Sequence, residues 1–164
     1  MIRNVKTSDA EQICAIYNNY ITRTQVTFEE EPLAVGDIIS RINSVTQNYP
    51  WLVYEEDETV LGYTYANQWK ERSAYRNTVE TGIYLDSDLL GKGIGSELKA
   101  VMIDELKARG FHSVISGIAL PNPASIAMCE KFGFKKIAHF KEVGYKFGEW
   151  IDVAYWQLIL DENS

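Results

Sequence analysis

Five residues, Gly91-Lys92-Gly93-Ile94-Gly95, constrain this chain more than any others. They follow a β-rich run, Thr78-Val79-Glu80-Thr81-Gly82-Ile83-Tyr84-Leu85, and lead into the clearest helical pattern in the sequence. Glycines tolerate positive φ and let backbone N–H groups approach a ligand with no Cβ in the way. The first turn of a helix leaves unpaired N–H groups and a partial positive charge. A glycine-rich passage from strand to helix is therefore suited to an anion such as a pyrophosphate. Two common phosphate loops do not fit. The dinucleotide pattern G-x-G-x-x-G fails because Leu98 stands where a third glycine is needed after Gly93 and Gly95. A P-loop needs Ser or Thr after Gly-Lys, and here Gly93 follows Lys92.

The helix after the loop is read from Ile94, Leu98, Val101, Met102 and Leu106 as a buried stripe, with Lys107, Arg109 and Gly110 as its stop. Upstream, Ser8-Asp9-Ala10-Glu11 reads as a capping box, opening a helix that carries Ile13, Ile16, Tyr17 and Tyr20 to about Thr22. Pro32 opens a second helical stretch, with Ile38, Ile42 and Val45 on one face. After Pro50 the period changes. Trp51–Tyr54 and Val60–Tyr65, separated by Glu56-Asp57-Glu58, predict a hairpin. Ser113–Ala119 reads as a buried strand, and Pro121-Asn122-Pro123 then starts a short helix ending near Gly133. Two further strands are predicted around Lys135–Val143 and Asp152–Leu160. No repeat, linker or low-complexity tract interrupts residues 1–164, so the expectation is one α/β domain, a mixed sheet covered by helices.

Charge narrows the function classes. Sixteen basic against 23 acidic side chains give a formal charge of −7, which argues against general nucleic-acid binding. No apolar run approaches the roughly 20 residues needed to span a bilayer. The opening Met1–Asp9 lacks the apolar core of a secretory signal. Cys14 and Cys129 make neither a disulfide framework nor a zinc site, and they read as buried, reduced thiols of a cytoplasmic protein. His112 and His139 lack a metal-ligand pattern and are expected to be structural. Trp150 and Trp156 are expected in a core or an interface.

The segment Leu90-Gly91-Lys92-Gly93-Ile94-Gly95 resembles the acetyl-CoA pyrophosphate loop of the GCN5-related N-acetyltransferases, [QR]-x-x-G-x-[GA], with Leu90 replacing the usual Gln or Arg. Further blocks resemble the phosphinothricin and methionine sulfoximine acetyltransferases of that family. They are Ile16-Tyr17-Asn18, Val26-Thr27-Phe28-x-x-Glu31-Pro32, Trp69-Lys70-x-Arg72-x-Ala74-Tyr75, Thr78-Val79-Glu80 and Phe147-Gly148-x-Trp150-x-Asp152-Val153. The resemblance implies a mostly antiparallel, twisted sheet flanked by helices. It also implies acetyl-CoA as cosubstrate with no metal, and a homodimer. The acceptor would be the amino group of a small amino-acid-like molecule.

Site roles follow from the same resemblance. Glu80 would be the general base, since an amine must lose a proton before or during attack. The backbone of Ile83, Tyr84 and Leu85 would pair with the pantetheine arm, and the amides of Gly91, Lys92, Gly93, Ile94, Gly95 and Ser96 would hold the pyrophosphate. Asn122 would bond the pantetheine amides, although its place also suits a helix N-cap. Lys131 would reach the polar end of the cofactor. Arg72, with Ser73, Ala74 and Tyr75, would clamp an acidic group of the acceptor, and Phe28 would form an apolar wall. Many relatives carry a proton-donating tyrosine before Glu-Lys-x-Gly-Phe, where this chain has Cys129 before Glu130-Lys131-Phe132-Gly133-Phe134. The thiol either donates a proton or fills space. Two other readings share the cofactor: transfer to a protein N-terminus or polyamine, and a silent acyl-CoA-binding module.

Overall fold

The computed structural model describes residues 1–160. Its chain runs β1 (Ile2–Asn4), α1 (Ala10–Arg23), α2 (Val35–Val45), β2 (Trp51–Glu56), β3 (Thr59–Gln68), β4 (Thr78–Leu85), α3 (Ile94–Ala108), β5 (Ser113–Ala119), α4 (Pro123–Lys131), β6 (Lys135–Lys146) and β7 (Glu149–Ile159). The strands form one sheet in the order β1-β2-β3-β4-β5-β7-β6. Every neighbouring pair is antiparallel except β4 and β5. The expected mixed, mostly antiparallel α/β architecture is what the chain adopts.

Strand alternation divides the core between the two faces. Trp51, Val53 and Tyr63 pack with Ile13, Tyr17 and Ile21 of α1 and Ile38 and Ile42 of α2. Leu52, Ala66, Val79, Val114 and Trp156 pack instead with Leu98, Met102 and Leu106 of α3 and with Cys129 of α4. Helices thus cover both faces, and the sheet's one parallel pair lies near its middle.

That pair positions the site. Register between β4 and β5 runs only from Thr78 opposite Ser113 to Glu80 opposite Ile115. Beyond these residues β4 continues to Leu85 and β5 to Ala119 without pairing, so the strands splay into a V. Backbone groups inside the V are left for another partner.

Several boundaries differ from those the sequence predicts. No capping box forms at Ser8: a 3-10 turn, Thr7–Asp9, precedes the first helix, and the Asp9 carboxylate closes that turn by accepting from the Lys6 N–H at 2.7 Å and from Arg3 at 2.8 and 2.9 Å. Burial works to raise the Asp9 carboxyl, but these bonds outweigh it and hold the group below its ordinary value. The second helix starts at Val35, not Pro32, because the Asp37 carboxylate closes the turn on the Ala34 N–H at 2.8 Å. β6 and β7 run on into a hairpin through Phe147-Gly148, both at positive φ, which lengthens both strands beyond their predicted ends. On α3, Val101 faces solvent, and Ile103 and Lys99 are buried instead. Trp156 is core, whereas Trp150 is 66% exposed. Both cysteines are free and buried, as expected.

Candidate active site

Two hollows meet at the fork of the V. The first, of about 650 Å³, runs between the splayed strands toward the start of α3 and along α4. The second, of about 720 Å³, opens on the other side of the fork under the β6–β7 hairpin and the α1–α2 connection. They share Val26, Thr81, Gly82, Tyr84, Gly117 and Ala119, so the two hollows adjoin.

The first hollow is built largely from backbone. Gly91 and Gly93 adopt φ of +82° and +86°, which L side chains rarely enter. The Gly93 carbonyl accepts from Glu97 N, so the N–H groups of Ile94, Gly95 and Ser96 precede the first helical donor, and Gly95 and Ser96 line the groove. Gly95 lets α3 lie close to α4, where a Cβ would stand 2.9 Å from the Met128 methyl. Lys131 reaches across from α4 to Ser96 Oγ at 3.5 Å, which brings a cation to the glycine loop. Lys92 is exposed, the Ile94 side chain is buried in the core, and neither lines the hollow.

Along β4 the three expected pairing residues differ. The Tyr20 hydroxyl donates to the Leu85 carbonyl at 2.8 Å and accepts from the Leu85 N–H at 3.3 Å, so both Leu85 groups are already engaged. Alternation along the strand then turns Tyr84 toward β3 and Ile83 into the open groove. Of the three, Ile83 presents the free edge. Tyr84 contributes its ring, packed edge-on against Tyr17 and Tyr20. Asn122 fills the N-cap of α4, its Oδ1 accepting from Ser125 N at 3.2 Å, and also lines the groove. Its amide nitrogen carries no protein partner among the described residues, so capping leaves that donor unengaged.

The second hollow is built from side chains. Trp69, Tyr65, Phe140, Tyr155 and Phe28 supply aromatic walls, with Val143, Ile137 and Val153. Phe28 lies against Gly144, where a Cβ would come within 2.4 Å of the ring. The loop carrying Phe28 is anchored on both sides. Lys146, buried, donates to the Thr27 carbonyl at 2.7 Å. Glu29 is held by Arg41 at 2.6 and 2.9 Å, and it also accepts from Tyr17. The Arg41 guanidinium is the main reason the Glu29 carboxyl lies below its ordinary value.

Glu80 stands at the fork, the last β4 residue paired with β5, and lines the second hollow. Burial pushes its carboxyl above the ordinary value, and Lys70 opposes that shift. No hydrogen bond engages it among the described residues. Gly117 opposite leaves it room, since a Cβ there would be 3.3 Å from Glu80 Oε2 and 2.9 Å from the Tyr155 ring. A half-buried carboxylate with a raised pKa, unspent on any partner, is equipped to take a proton.

Arg72, Ser73, Ala74 and Tyr75 are not brought into either hollow. They form an exposed turn before β4, with Arg72 at its head. The cation that does line the second hollow is Lys70, beside the Trp69 ring at 4.9 Å. Sequence reasoning also misses Gly117, Tyr155 and Lys99, whose roles depend on which strands and helices become neighbours. His139 bonds Asp152 at 2.8 Å on the surface, and no group of metal-ligating residues occurs among the described residues.

Residues 2–155 match the model of the acetyltransferase (GNAT) domain. The chain is 36% identical over 156 residues to the phosphinothricin N-acetyltransferase of Streptomyces viridochromogenes, covering 95% of this chain and 85% of that protein. It is 34% identical over 164 residues to the L-amino acid N-acyltransferase MnaT of Escherichia coli K12, covering 99% and 95% respectively. The structure of a phosphinothricin acetyltransferase from Sinorhizobium meliloti in complex with AcCoA superposes with a TM-score of 0.95 at 35% identity, covering 99% of this chain and 89% of that one.

Proposed function

The chain belongs to the GNAT acetyltransferase family, and from that premise we propose that it moves the acetyl group of acetyl-CoA onto the amine of a small amino-acid-like acceptor, with Glu80 as general base. The observation that carries this reading is the position of Glu80 where the two hollows meet.

The groove suits acetyl-CoA. Amides at the start of α3, with Lys131 beside them, offer donors to phosphate oxygens. The free edge of Ile83 and the Asn122 amide offer partners to an amide-bearing arm. Bound this way, the thioester supplies an activated acyl carbon at the fork. The chain's residues then align the acceptor and receive its proton. Glu80, ionised, accepts that proton from the attacking nitrogen, directly or through one water.

The second hollow supports this choice of acceptor. Its walls are apolar and aromatic, which suits a side chain of methionine or glutamate-analogue size. Lys70 offers a charge to the acceptor's acidic group. Among the described residues lining it, Glu80 is the only carboxylate, which disfavours a polyamine. The phosphinothricin, methionine sulfoximine and methionine sulfone class fits these requirements. A homodimer belongs to the same reading: Ile137, Phe140, Val143, Tyr145 and Trp150 leave an apolar face exposed on the β6–β7 hairpin, a surface a second copy would cover. The exposed Arg72–Tyr75 turn keeps its proposed part in acceptor binding as the alternative to Lys70.

The test is thiol release from acetyl-CoA with a panel of amino-acid analogues, polyamines and N-terminal peptides. Turnover confined to amino-acid analogues supports the reading. Tight acetyl-CoA binding without turnover on any acceptor would sink it in favour of a silent module.

A further inference from the structure

Gly117 of β5 lines both hollows, and the point where its Cβ would stand is flanked by two polar side chains. Glu80 Oε2 lies 3.3 Å from that point, and the Tyr155 ring lies 2.9 Å from it at Cε1 and 3.4 Å at Cδ1. The ring carbon nearer the hydroxyl is therefore the closer of the two, so the phenol end leans over Gly117. Register explains the convergence. Glu80 pairs with Ile115 and Gly117 pairs with Tyr155, and alternation puts all four on one face of the sheet. The Tyr155 ring is fixed edge-on against Trp69 at 5.7 Å and Phe140 at 5.8 Å. Among the described residues, Trp51 Nε1 is the only fully buried side-chain nitrogen or oxygen without a hydrogen bond. The Tyr155 hydroxyl, which makes no hydrogen bond to the described residues, thus opens into the second hollow that its ring lines. A phenylalanine would fill the same space, and the phenol adds a polar group beside an unengaged carboxylate.

We propose that the acceptor nitrogen sits over Gly117, one N–H donating to Glu80 and the other to the Tyr155 hydroxyl oxygen, which makes Tyr155 a catalytic residue. This rests on the acetyl-transfer reading above. A neutral primary amine has two N–H bonds and one lone pair, so holding both N–H bonds aims the lone pair. Gly117 also lines the groove in which the thioester would lie, so the aimed lone pair meets the acyl carbon there. As the nitrogen–carbon bond forms, the carbon–sulfur bond breaks and its electron pair goes to the CoA sulfur, which takes a proton from water. Glu80 takes one N–H proton and returns it to solvent when the product leaves, so the cycle balances. The phenol neither gains nor loses a proton. Burial, and Glu80 nearby, hold the Tyr155 hydroxyl above its ordinary value, which keeps it neutral.

Tyr155→Phe is the decisive variant, since it removes the hydroxyl and keeps the ring against Trp69 and Phe140. The kcat/KM for a primary amino-acid acceptor should fall by about tenfold, as the loss of one hydrogen bond does. The N-methyl analogue of that acceptor has one N–H when neutral and gives it to Glu80. Its kcat/KM should stay within about twofold of wild type. The KM for acetyl-CoA and the pH of the acidic limb of the kcat/KM profile should not move. Gly117→Ala fills the seat itself and should slow both amines by about 30-fold or more while CoA still binds.

An unchanged rate on the primary amine in Tyr155→Phe overturns the proposal. An equal fall on both amines also overturns it, because it would mark a packing effect. An acidic limb displaced upward does so too, since it would assign the hydroxyl to Glu80 rather than to the nitrogen. Wild-type rates in Gly117→Ala would place the nitrogen elsewhere. Calorimetric binding of the two amines to the CoA-saturated protein repeats the comparison without turnover. Should wild type acetylate no acceptor, acetyl transfer fails as a reading. A primary amine that binds more weakly to Tyr155→Phe, with the N-methyl analogue unaffected, still upholds the seat at Tyr155, and unchanged affinities still overturn it.

Discussion

The two hollows that meet at Glu80 are made of different material. The groove along β4, α3 and α4 is defined by unpaired backbone, two left-handed glycines and a helix start. The cavity under the β6–β7 hairpin is defined by side chains drawn from the α1–α2 connection, β3, β4, β5, β6 and β7. Backbone recognition depends on a fold being retained and tolerates many side chains. Side-chain recognition changes with single substitutions. The contrast explains how one scaffold holds its cofactor fixed and leaves its acceptor open to variation.

Substitutions can break that contrast at stated points. The largest expected effect is at the junction: Glu80→Gln should lower kcat by about 100-fold or more, with acetyl-CoA binding intact by calorimetry. A loss confined to acetyl-CoA affinity would make Glu80 a groove residue. Next, Lys70→Met should raise the KM for an acidic acceptor by roughly tenfold and leave acetyl-CoA unaffected, as the loss of one ion-paired hydrogen bond does. Arg72→Ala in the same assay sharpens the comparison, since a larger rise there would move the clamp to the exposed turn. On the groove side, Gly93→Ala forces a Cβ into a left-handed conformation and should cost about 1–2 kcal/mol of stability. It should also weaken acetyl-CoA while sparing acceptor selectivity, which substrate competition would show. The smallest effect is expected from Gly144→Ala. Its Cβ displaces the Phe28 ring and should alter acceptor KM by only a few-fold, as strain a mobile side chain can relieve.

The same contrast sets how much of the fold and the site is legible in the sequence. The Gly91–Gly95 loop, the strand preceding it and the helix following it carry their conformation locally, in glycine placement and apolar period. The Trp51–Tyr65 hairpin around its acidic turn is legible for the same reason, and all of these elements form where the sequence places them. Helix starts shift by a few residues because the Asp9 carboxylate closes a 3-10 turn on the Lys6 N–H ahead of α1, and the Asp37 carboxylate closes the first turn of α2 on the Ala34 N–H. Arg72 lies in a block that resembles a substrate-binding segment, yet the turn it heads is exposed, and Lys70, two residues earlier, enters the cavity. Gly117 and Tyr155 have no local signature at all. Their importance arises only when β5 and β7 pair and set both beside Glu80. Lys99 is hidden within an amphipathic stripe, where a charged residue at a buried position is visible only once α3 packs on α4.

Proton removal by Glu80 at the fork is the central claim, and the pH dependence of kcat/KM for the amine acceptor tests it most directly. Because burial raises the Glu80 pKa, the ionised base is lost as pH falls through a value above the ordinary 4.5 of a glutamate. The expected result is an acidic limb of unit slope, displaced upward from that value in wild type and absent in Glu80→Gln. An identical limb in both proteins would contradict proton removal by this carboxylate.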